Sequence, residues 1–130
     1  MKKKILVVDD ESDFSEVIRL RLEADNYEVI TATNGKEALA KIKSEKLDAV
    51  LLDILMPELD GLETLRRIRR KNKNLPVFII TAFSNEERLK LARKLTASGF
   101  IMKTSSLKKE VANITTMLRV GDRYKGRKAK

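Results

Sequence analysis

The sequence predicts an α/β fold in which helices cover both faces of a five-stranded parallel sheet. Two patterns carry this prediction. Short apolar runs alternate along the chain with longer segments whose apolar residues recur at helical spacing, an order typical of strands joined by crossover helices. Three of the runs are apolar at nearly every position, as in strands buried on both faces. The length of 130 residues suits one domain with one core.

Five strands are predicted. They are residues 5–8, 27–32, 49–53, 77–81 and 100–102. The second strand alternates between apolar and polar residues, which favours a position at an edge of the sheet. Pro57 and Gly61 follow the third strand, so we expect that strand to end in a shaped loop.

Five helices are predicted, each with apolar residues at helical spacing that are expected to face the sheet. These residues are Phe14, Val17, Ile18 and Leu22 in a helix at 13–25; Ala38, Leu39 and Ile42 in a helix that follows Asn34 and Gly35; Leu62, Leu65 and Ile68 in a helix at 61–71; Leu91, Ala92 and Leu95 in a helix at 85–95; and Leu107, Val111, Ile114 and Leu118 in a last helix. Asp60 and Ser106 are suited to cap the third and fifth helices.

Composition argues against several classes of protein. No apolar run approaches the roughly 20 residues that cross a bilayer, so no membrane partner is expected. The chain has no cysteine, which rules out disulfides and thiolate metal sites and suits a cytoplasmic location. It also has no histidine, so a covalently held phosphoryl group would sit on a carboxylate or a hydroxyl.

The net charge of +9 is compatible with an acidic or nucleic-acid partner. Residues 121–130 hold five basic residues and one acidic residue, and the rest of the excess is spread over the predicted helices. Such a dispersed excess is typical of a solvated surface. We therefore expect residues 1–120 to form the domain, and residues 121–130 to be a disordered basic tail or the start of a linker.

Polar residues stand at the carboxyl ends of four predicted strands. Asp9 and Asp10 follow the first strand, Asp53 ends the third, Thr81 ends the fourth, and Lys103 follows the fifth. Parallel strands present these ends at one edge of the sheet, where open α/β sheets bind ligands. Three crowded carboxylates repel one another unless a cation lies between them, and Mg²⁺ prefers such oxygen ligands. Because aspartate is a nucleophile in phosphoryl transfer, the pattern predicts magnesium-dependent phosphoryl chemistry at Asp53.

Each of these residues also has an ordinary structural interpretation. Asp9 and Asp10 could cap the first helix, and Asp53 could be a turn residue. Thr81 could be no more than a β-branched strand end, and Lys103 a surface lysine. Their joint occurrence at four strand ends favours the phosphate and magnesium site.

Over roughly residues 3–120 the chain resembles the receiver domain of two-component response regulators, of the chemotaxis-regulator kind. The motifs that carry the resemblance are Ile5-Leu6-Val7-Val8-Asp9-Asp10, Leu51-Leu52-Asp53-Ile54-Leu55-Met56-Pro57 with Asp60-Gly61, Thr81-Ala82, and Phe100-Ile101-Met102-Lys103. The resemblance implies a doubly wound, flavodoxin-like sheet with the strand order 2-1-3-4-5, which is the order found in receiver domains.

The resemblance also implies a role for each residue of the motifs. Asp53 would be the phosphoacceptor. Asp10 would bind Mg²⁺ directly and Asp9 through water or hydrogen bonds, with Asp53 and the backbone carbonyl of Leu55 as further ligands. Lys103 would pair with the phosphoryl group.

Thr81 and Phe100 would be switch residues that change the face made by the fourth helix, the fifth strand and the fifth helix. The implied partners are a sensor histidine kinase or phosphotransfer protein, and an output partner or effector domain on that face. A phospho-dependent homodimer is a further implied state. Nucleic acid would be bound only by an effector domain. The domain would act on itself and would not turn over an external substrate.

Two positions depart from the family pattern. Thr104 stands where the family usually has a proline, commonly with a cis bond. Because a cis non-proline bond costs about 2.5–4 kcal/mol, we expect a trans bond and a reshaped loop beside Lys103. Thr96 stands where the family often has a glycine-containing turn. Since threonine is a poor left-handed cap, we expect an irregular or mobile end to the fourth helix.

Three other functions compete with this one. A degenerate receiver would act as an interaction module without phosphorylation, yet the acidic residues, the threonine and the lysine of the motifs are all present. A phosphatase of the haloacid dehalogenase kind usually has a second aspartate two residues after its nucleophile, where this chain has Leu55. A basic nucleic-acid-binding protein is supported only by the tail.

Overall fold

The computed structural model describes residues 2–54, 60–81, 86–102, 112, 116 and 118–119. Strands and helices alternate in the order β1 (Lys4–Val8), α1 (Ser12–Ala24), β2 (Glu28–Ala32), α2 (Gly35–Ser44), β3 (Ala49–Asp53), α3 (Gly61–Lys71), β4 (Val77–Thr81), α4 (Glu86–Lys94) and β5 (Gly99–Met102). Residues 112, 116, 118 and 119 are helical, and the rest of the predicted fifth helix lies outside the described residues, as do its cap Ser106 and the tail at 121–130.

The five strands form one parallel sheet in the order β2-β1-β3-β4-β5. This confirms the predicted strand order and the edge position of the second strand. The predicted strand boundaries are correct to within one residue. The neighbouring strands β1 and β3 pair in a register that places Leu6 opposite Val50 and Val8 opposite Leu52.

Two apolar cores lie on opposite faces of the sheet, because successive strand side chains point to opposite sides. On one face, Leu6, Val50 and Ile79 pack with α2, α3 and α4. On the other face, Val7 and Leu51 pack with α1 and with the helical residue at 118. The largest fully buried side chains are Ile5, Leu6, Ile18, Leu22, Leu51, Leu52, Ile54, Leu65, Ile68, Ile79 and Ile80. The sheet is therefore covered on both faces, as the apolar runs predict.

Two of the predicted apolar helix positions are wrong. Val17 on α1 is 38% exposed and Leu91 on α4 is 43% exposed. In α1 the buried stripe runs through Phe14, Ile18 and Leu22, so the residue next to Ile18 turns away from the sheet. α4 buries Ala92 as its innermost residue, which leaves Leu91 on the outer side.

The end of α4 is regular, which corrects the expectation of an irregular turn at Thr96. Thr96 adopts a left-handed conformation with φ 58°. The Ala97 N–H donates to the carbonyl of Ala92 at 3.0 Å and the Thr96 N–H donates to that of Arg93 at 2.9 Å, the hydrogen bonds of a Schellman motif. The guanidinium of Arg69 donates to the carbonyls of Leu95 and Thr96, and these bonds hold the turn despite its unfavourable residue.

The same end motif closes α1, where Asn26 is left-handed with φ 72° and the Tyr27 N–H donates to the carbonyl of Leu22. Asparagine tolerates this conformation better than threonine.

No helix in the described part of the chain is long and apolar enough to span a bilayer. The bond between Lys103 and Thr104 lies outside the described residues, so the expected trans geometry stays a prediction.

Candidate metal centre

Asp9 and Asp53 stand side by side at the carboxyl edge of the sheet. β1 and β3 are parallel, and their register pairs Val8 with Leu52. Asp9 and Asp53 are each the next residue, so the sheet itself aligns the two carboxylates. This is the arrangement predicted from the ends of the two apolar runs.

Three carboxylates converge at this edge. Oxygen atoms of Asp9, Asp10 and Asp53 all lie within 4.8 Å of one another. Asp9 is 1% exposed and Asp53 3% exposed, whereas Asp10 is exposed. The cluster therefore has a buried floor and one side open to solvent.

Backbone hydrogen bonds orient Asp9. Its N–H donates to the carbonyl of Ala32 at 3.0 Å, which extends the pairing of β1 with β2 by one residue. Its Oδ1 accepts a hydrogen bond from the N–H of Glu11 at 2.8 Å, in the turn that leads into α1. This bond belongs to the turn before α1, whose N-cap residue is Glu11 and has no side-chain cap hydrogen bond, so the interpretation of Asp9 as the cap of the first helix is wrong.

The backbone after Asp53 is held by the start of α3. The Gly61 N–H donates to the carbonyl of Ile54 at 3.2 Å. A Cβ atom at position 61 would lie 2.3 Å from the backbone oxygen of Asp53 and 2.3 Å from Cα of Ile54. Only glycine allows α3 to approach this closely, so Gly61 helps to fix the position of Asp53.

Asp60 begins α3 and also contacts α4. Its Oδ1 accepts a hydrogen bond from the N–H of Glu63 at 2.9 Å, which confirms the predicted N-cap. Its Oδ2 lies 3.1 Å from a guanidinium nitrogen of Arg88. Arg88 was not among the predicted site residues. Its one signal was electrostatic, since a basic residue in the first turn of a helix opposes the helix dipole.

Of the other predicted site residues, Phe100 and the backbone of Thr81 are described. Thr81 ends β4 opposite Met102 of β5, and its side chain lies outside the described part of the structure. Leu55 and Lys103 also lie outside it. Phe100 is half-buried against the core that includes α4, and the guanidinium of Arg93 lies 5.5 Å from the centre of its ring.

The donor set fits a hard divalent cation. Three carboxylates at this separation repel one another, and a cation relieves that repulsion. Oxygen donors with one open side suit Mg²⁺, which usually keeps several waters or phosphate oxygens in its coordination shell.

Comparison with known proteins agrees with this fold. The response regulator receiver domain family matches residues 5–115 of the chain. The alkaline phosphatase synthesis transcriptional regulatory protein PhoP of Bacillus subtilis is 38% identical over 119 residues, which cover 92% of this chain and 50% of PhoP. The transcriptional regulatory protein ResD of the same organism is 38% identical over 116 residues, covering 89% of this chain and 48% of ResD. The chain spans about half the length of these relatives.

Solved structures of similar fold include the CheY-like response regulator receiver domain protein of Methanospirillum hungatei. It has a TM-score of 0.85 and 27% identity, and the match covers 95% of this chain and 99% of that one. The response regulator TrrA of Thermotoga maritima, solved in complex with Mg(2+)-BeF, has a TM-score of 0.77 and 36% identity, with 88% and 98% coverage. The chain belongs to the response regulator receiver domain family.

Proposed function

We propose that this domain accepts a phosphoryl group on Asp53 and thereby switches a protein-interaction face. The observation that carries the proposal is the convergence of Asp9, Asp10 and Asp53 at the carboxyl ends of two adjacent strands. In this arrangement the carboxylate of Asp53 is a possible nucleophile. The carboxylates beside it are possible ligands for a cation that would neutralise the charge of a phosphate.

The residues that would hold Mg²⁺ are Asp10, Asp53 and the carbonyl of Leu55, with Asp9 acting through water or a hydrogen bond. When bound, the ion neutralises charge on the phosphate and orients it. The match to TrrA supports this assignment, because that protein was solved with magnesium and a beryllium fluoride.

A carboxylate oxygen of Asp53 forms the new bond to phosphorus in the proposed reaction. The bond between phosphorus and the imidazole nitrogen of the donor breaks, and that nitrogen keeps the electron pair. Lys103 and Thr81 are assigned to the transferred group, as its counter-charge and its hydrogen-bond donor. Such transfer depends chiefly on positioning and charge neutralisation, so the lack of histidine in this chain is no obstacle.

The donor in this proposal is a histidine kinase or a phosphotransfer protein, and the output passes through the face of α4, β5 and the predicted fifth helix, with Thr81 and Phe100 as switch residues. Relatives that are transcriptional regulators of about twice this length support a role in signalling to an effector domain. Residues 1–120 would be the signalling unit, and 121–130 its tail or linker. The domain would work in the cytoplasm and would turn over no external substrate.

The proposal is tested by the mass of the intact protein after incubation with acetyl phosphate or phosphoramidate, with and without Mg²⁺. We expect one phosphoryl adduct that requires Mg²⁺ and is absent in Asp53→Asn. Asp25→Asn removes an exposed carboxylate at the far end of α1 and is the matched control. A folded wild-type protein that forms no adduct would rule out this function and favour a phosphorylation-independent receiver. An adduct that survives in Asp53→Asn would show that another residue is the phosphoacceptor.

A further inference from the structure

An ion pair joins the first turns of α3 and α4. The carboxylate of Asp60 and the guanidinium of Arg88 approach to 3.1 Å, and their side chains are 40% and 32% exposed. This contact spans 28 residues of sequence and lies at the carboxyl edge of the sheet, the same edge as the carboxylate cluster.

The Asp60 end of the pair is rigidly connected to the candidate site. Asp60 caps α3 through the N–H of Glu63, which fixes its side chain. The next residue, Gly61, packs against the backbone of Asp53 and Ile54 with no room for a single added carbon. A displacement of Asp60 is therefore also a displacement of the backbone that carries Asp53.

The positive charge of Arg88 is unfavourable at its place in α4. Glu86 and Glu87 in the first turn of α4 suit the positive end of the helix dipole, whereas Arg88 opposes it. A residue that conflicts with its local element indicates a tertiary or functional role. Asp60 is a tertiary partner of Arg88 in the described part of the structure.

The two ends of the contact between α3 and α4 are held unequally. At their carboxyl-terminal ends, Arg69 is half-buried and donates to the carbonyls of Leu95 and Thr96. At their amino-terminal ends, the described residues include the partly exposed Asp60–Arg88 ion pair, a class of contact that contributes little stability by itself.

We propose that Arg88 is a positioning residue of the phosphoacceptor site, which through Asp60 couples the backbone of Asp53 to the first turn of α4. The inference rests on the proposed function, because it gives that site a route to α4. Coupling between two sites is reciprocal, so occupancy of the carboxylate cluster changes α4, and restraint of α4 changes the affinity of the cluster.

Single variants isolate the ion pair. Asp60→Asn removes its charge and keeps an amide oxygen that still caps α3, since asparagine is as good an N-cap as aspartate. Arg88→Gln removes the other charge, and Arg88→Lys restores it. Lys90→Gln, on an exposed position of the same helix, is the matched control.

Two measurements are made on each variant. The first is the Mg²⁺ dissociation constant from a titration that follows backbone amide shifts of the cluster and of α4. The second is the rate of adduct formation with acetyl phosphate. We expect Arg88→Gln and Asp60→Asn each to change both quantities by about two- to fivefold, the range that a partly exposed ion pair supports. The double variant should change no more than either single one, and the response of α4 amides to Mg²⁺ should be lost in both.

Recovery in Arg88→Lys and wild-type behaviour in Lys90→Gln complete the expected result. Additive effects of the two single variants, or α4 amides that fail to respond to Mg²⁺ in the wild type, would overturn the inference. Failure of the proposed function looks different: the wild type would form no adduct, while the Mg²⁺ titration would still decide whether the ion pair couples the cluster to α4.

Discussion

Arg69 donates a hydrogen bond of 2.9 Å to the carbonyl of Thr96, a threonine held in the left-handed conformation. The same guanidinium donates to the carbonyls of Leu95, Leu75 and Asn72. One side chain of α3 therefore joins the ends of two helices to the start of β4. Burial lowers the pKa of Arg69 from its ordinary value, but an arginine stays charged at any physiological pH.

Replacement of Arg69 by methionine is expected to lower the free energy of unfolding by about 2–3 kcal/mol. Methionine keeps the apolar stem but leaves several carbonyl groups without their charged donor, and hydrogen bonds to charged groups are among the stronger ones. Urea unfolding followed by circular dichroism measures the change. Arg70→Met, on the exposed neighbour, should stay near the wild type, and equal losses in both variants would contradict the assignment.

Replacement of Thr96 by glycine is expected to stabilise the protein by about 0.5–1 kcal/mol, because glycine adopts a positive φ without steric cost. Asn26→Gly makes the same change at the end of α1 and should gain less, since asparagine already tolerates this region. Thermal unfolding of both variants tests this order. A loss of stability in Thr96→Gly would contradict this expectation. It would mean that the threonine side chain stabilises the fold by more than the free energy that its positive φ costs.

Gly61→Ala is expected to destabilise the domain by more than about 2 kcal/mol, since its Cβ would lie 2.3 Å from a backbone oxygen that cannot move aside freely. Gly35→Ala, at the same first position of α2, is the control for the change in backbone freedom. Denaturant midpoints of the two variants provide the comparison. A Gly61→Ala protein as stable as the wild type would show that the loop from β3 to α3 adapts easily.

Magnesium is expected to stabilise the wild-type domain and to have little effect on Asp10→Asn. At an ion concentration about ten times the dissociation constant, binding to the folded state contributes about 1.4 kcal/mol. In the presence of a chelator, Asp10→Asn is expected to be more stable than the wild type, because the substitution relieves repulsion among the three carboxylates. Melting temperatures with Mg²⁺ and with chelator test both expectations. Asp13→Asn, on the exposed start of α1, is the control.

Lys4 and Glu45 form an ion pair at 2.9 Å that ties β1 to the end of α2. The hydrogen bond from Lys4 lowers the pKa of Glu45 below its ordinary value of 4.5, and the hydrogen bond to Glu45 is the main cause of the raised pKa of Lys4. A lowered carboxylate pKa contributes stability above the ordinary value, and this contribution is lost as the pH falls through the lower, folded value.

We therefore expect Glu45→Gln to be less stable than the wild type at neutral pH, with the difference vanishing in acid below the folded pKa of Glu45. Chemical unfolding across the acid range measures the two curves. Lys46→Gln, on the exposed residue that follows Glu45, is expected to run parallel to the wild type across the acid range. Curves that stay separated in strong acid would show that the pair acts through packing.

Much of the fold was predictable because its signals are local. The runs that became β1, β3 and β4 are apolar at nearly every position, and the amphipathic period placed α2 and α3 correctly on the sheet. Asp60 was predictable as a cap from its place before Gly61. The carboxylates could be assigned to one edge from the rule that parallel strands end together, without any knowledge of distances.

The sequence by itself determined the alternation of strands and helices, the buried strands, and the chemistry of the strand ends, since each depends on residue type and spacing along a few turns of chain. The tertiary structure decided which of two neighbouring apolar residues faces the core, as at Val17 and Leu91. It also decided that Thr96 can close a helix and that Arg88 meets Asp60. These outcomes depend on contacts between segments that are distant in sequence, which no local pattern encodes.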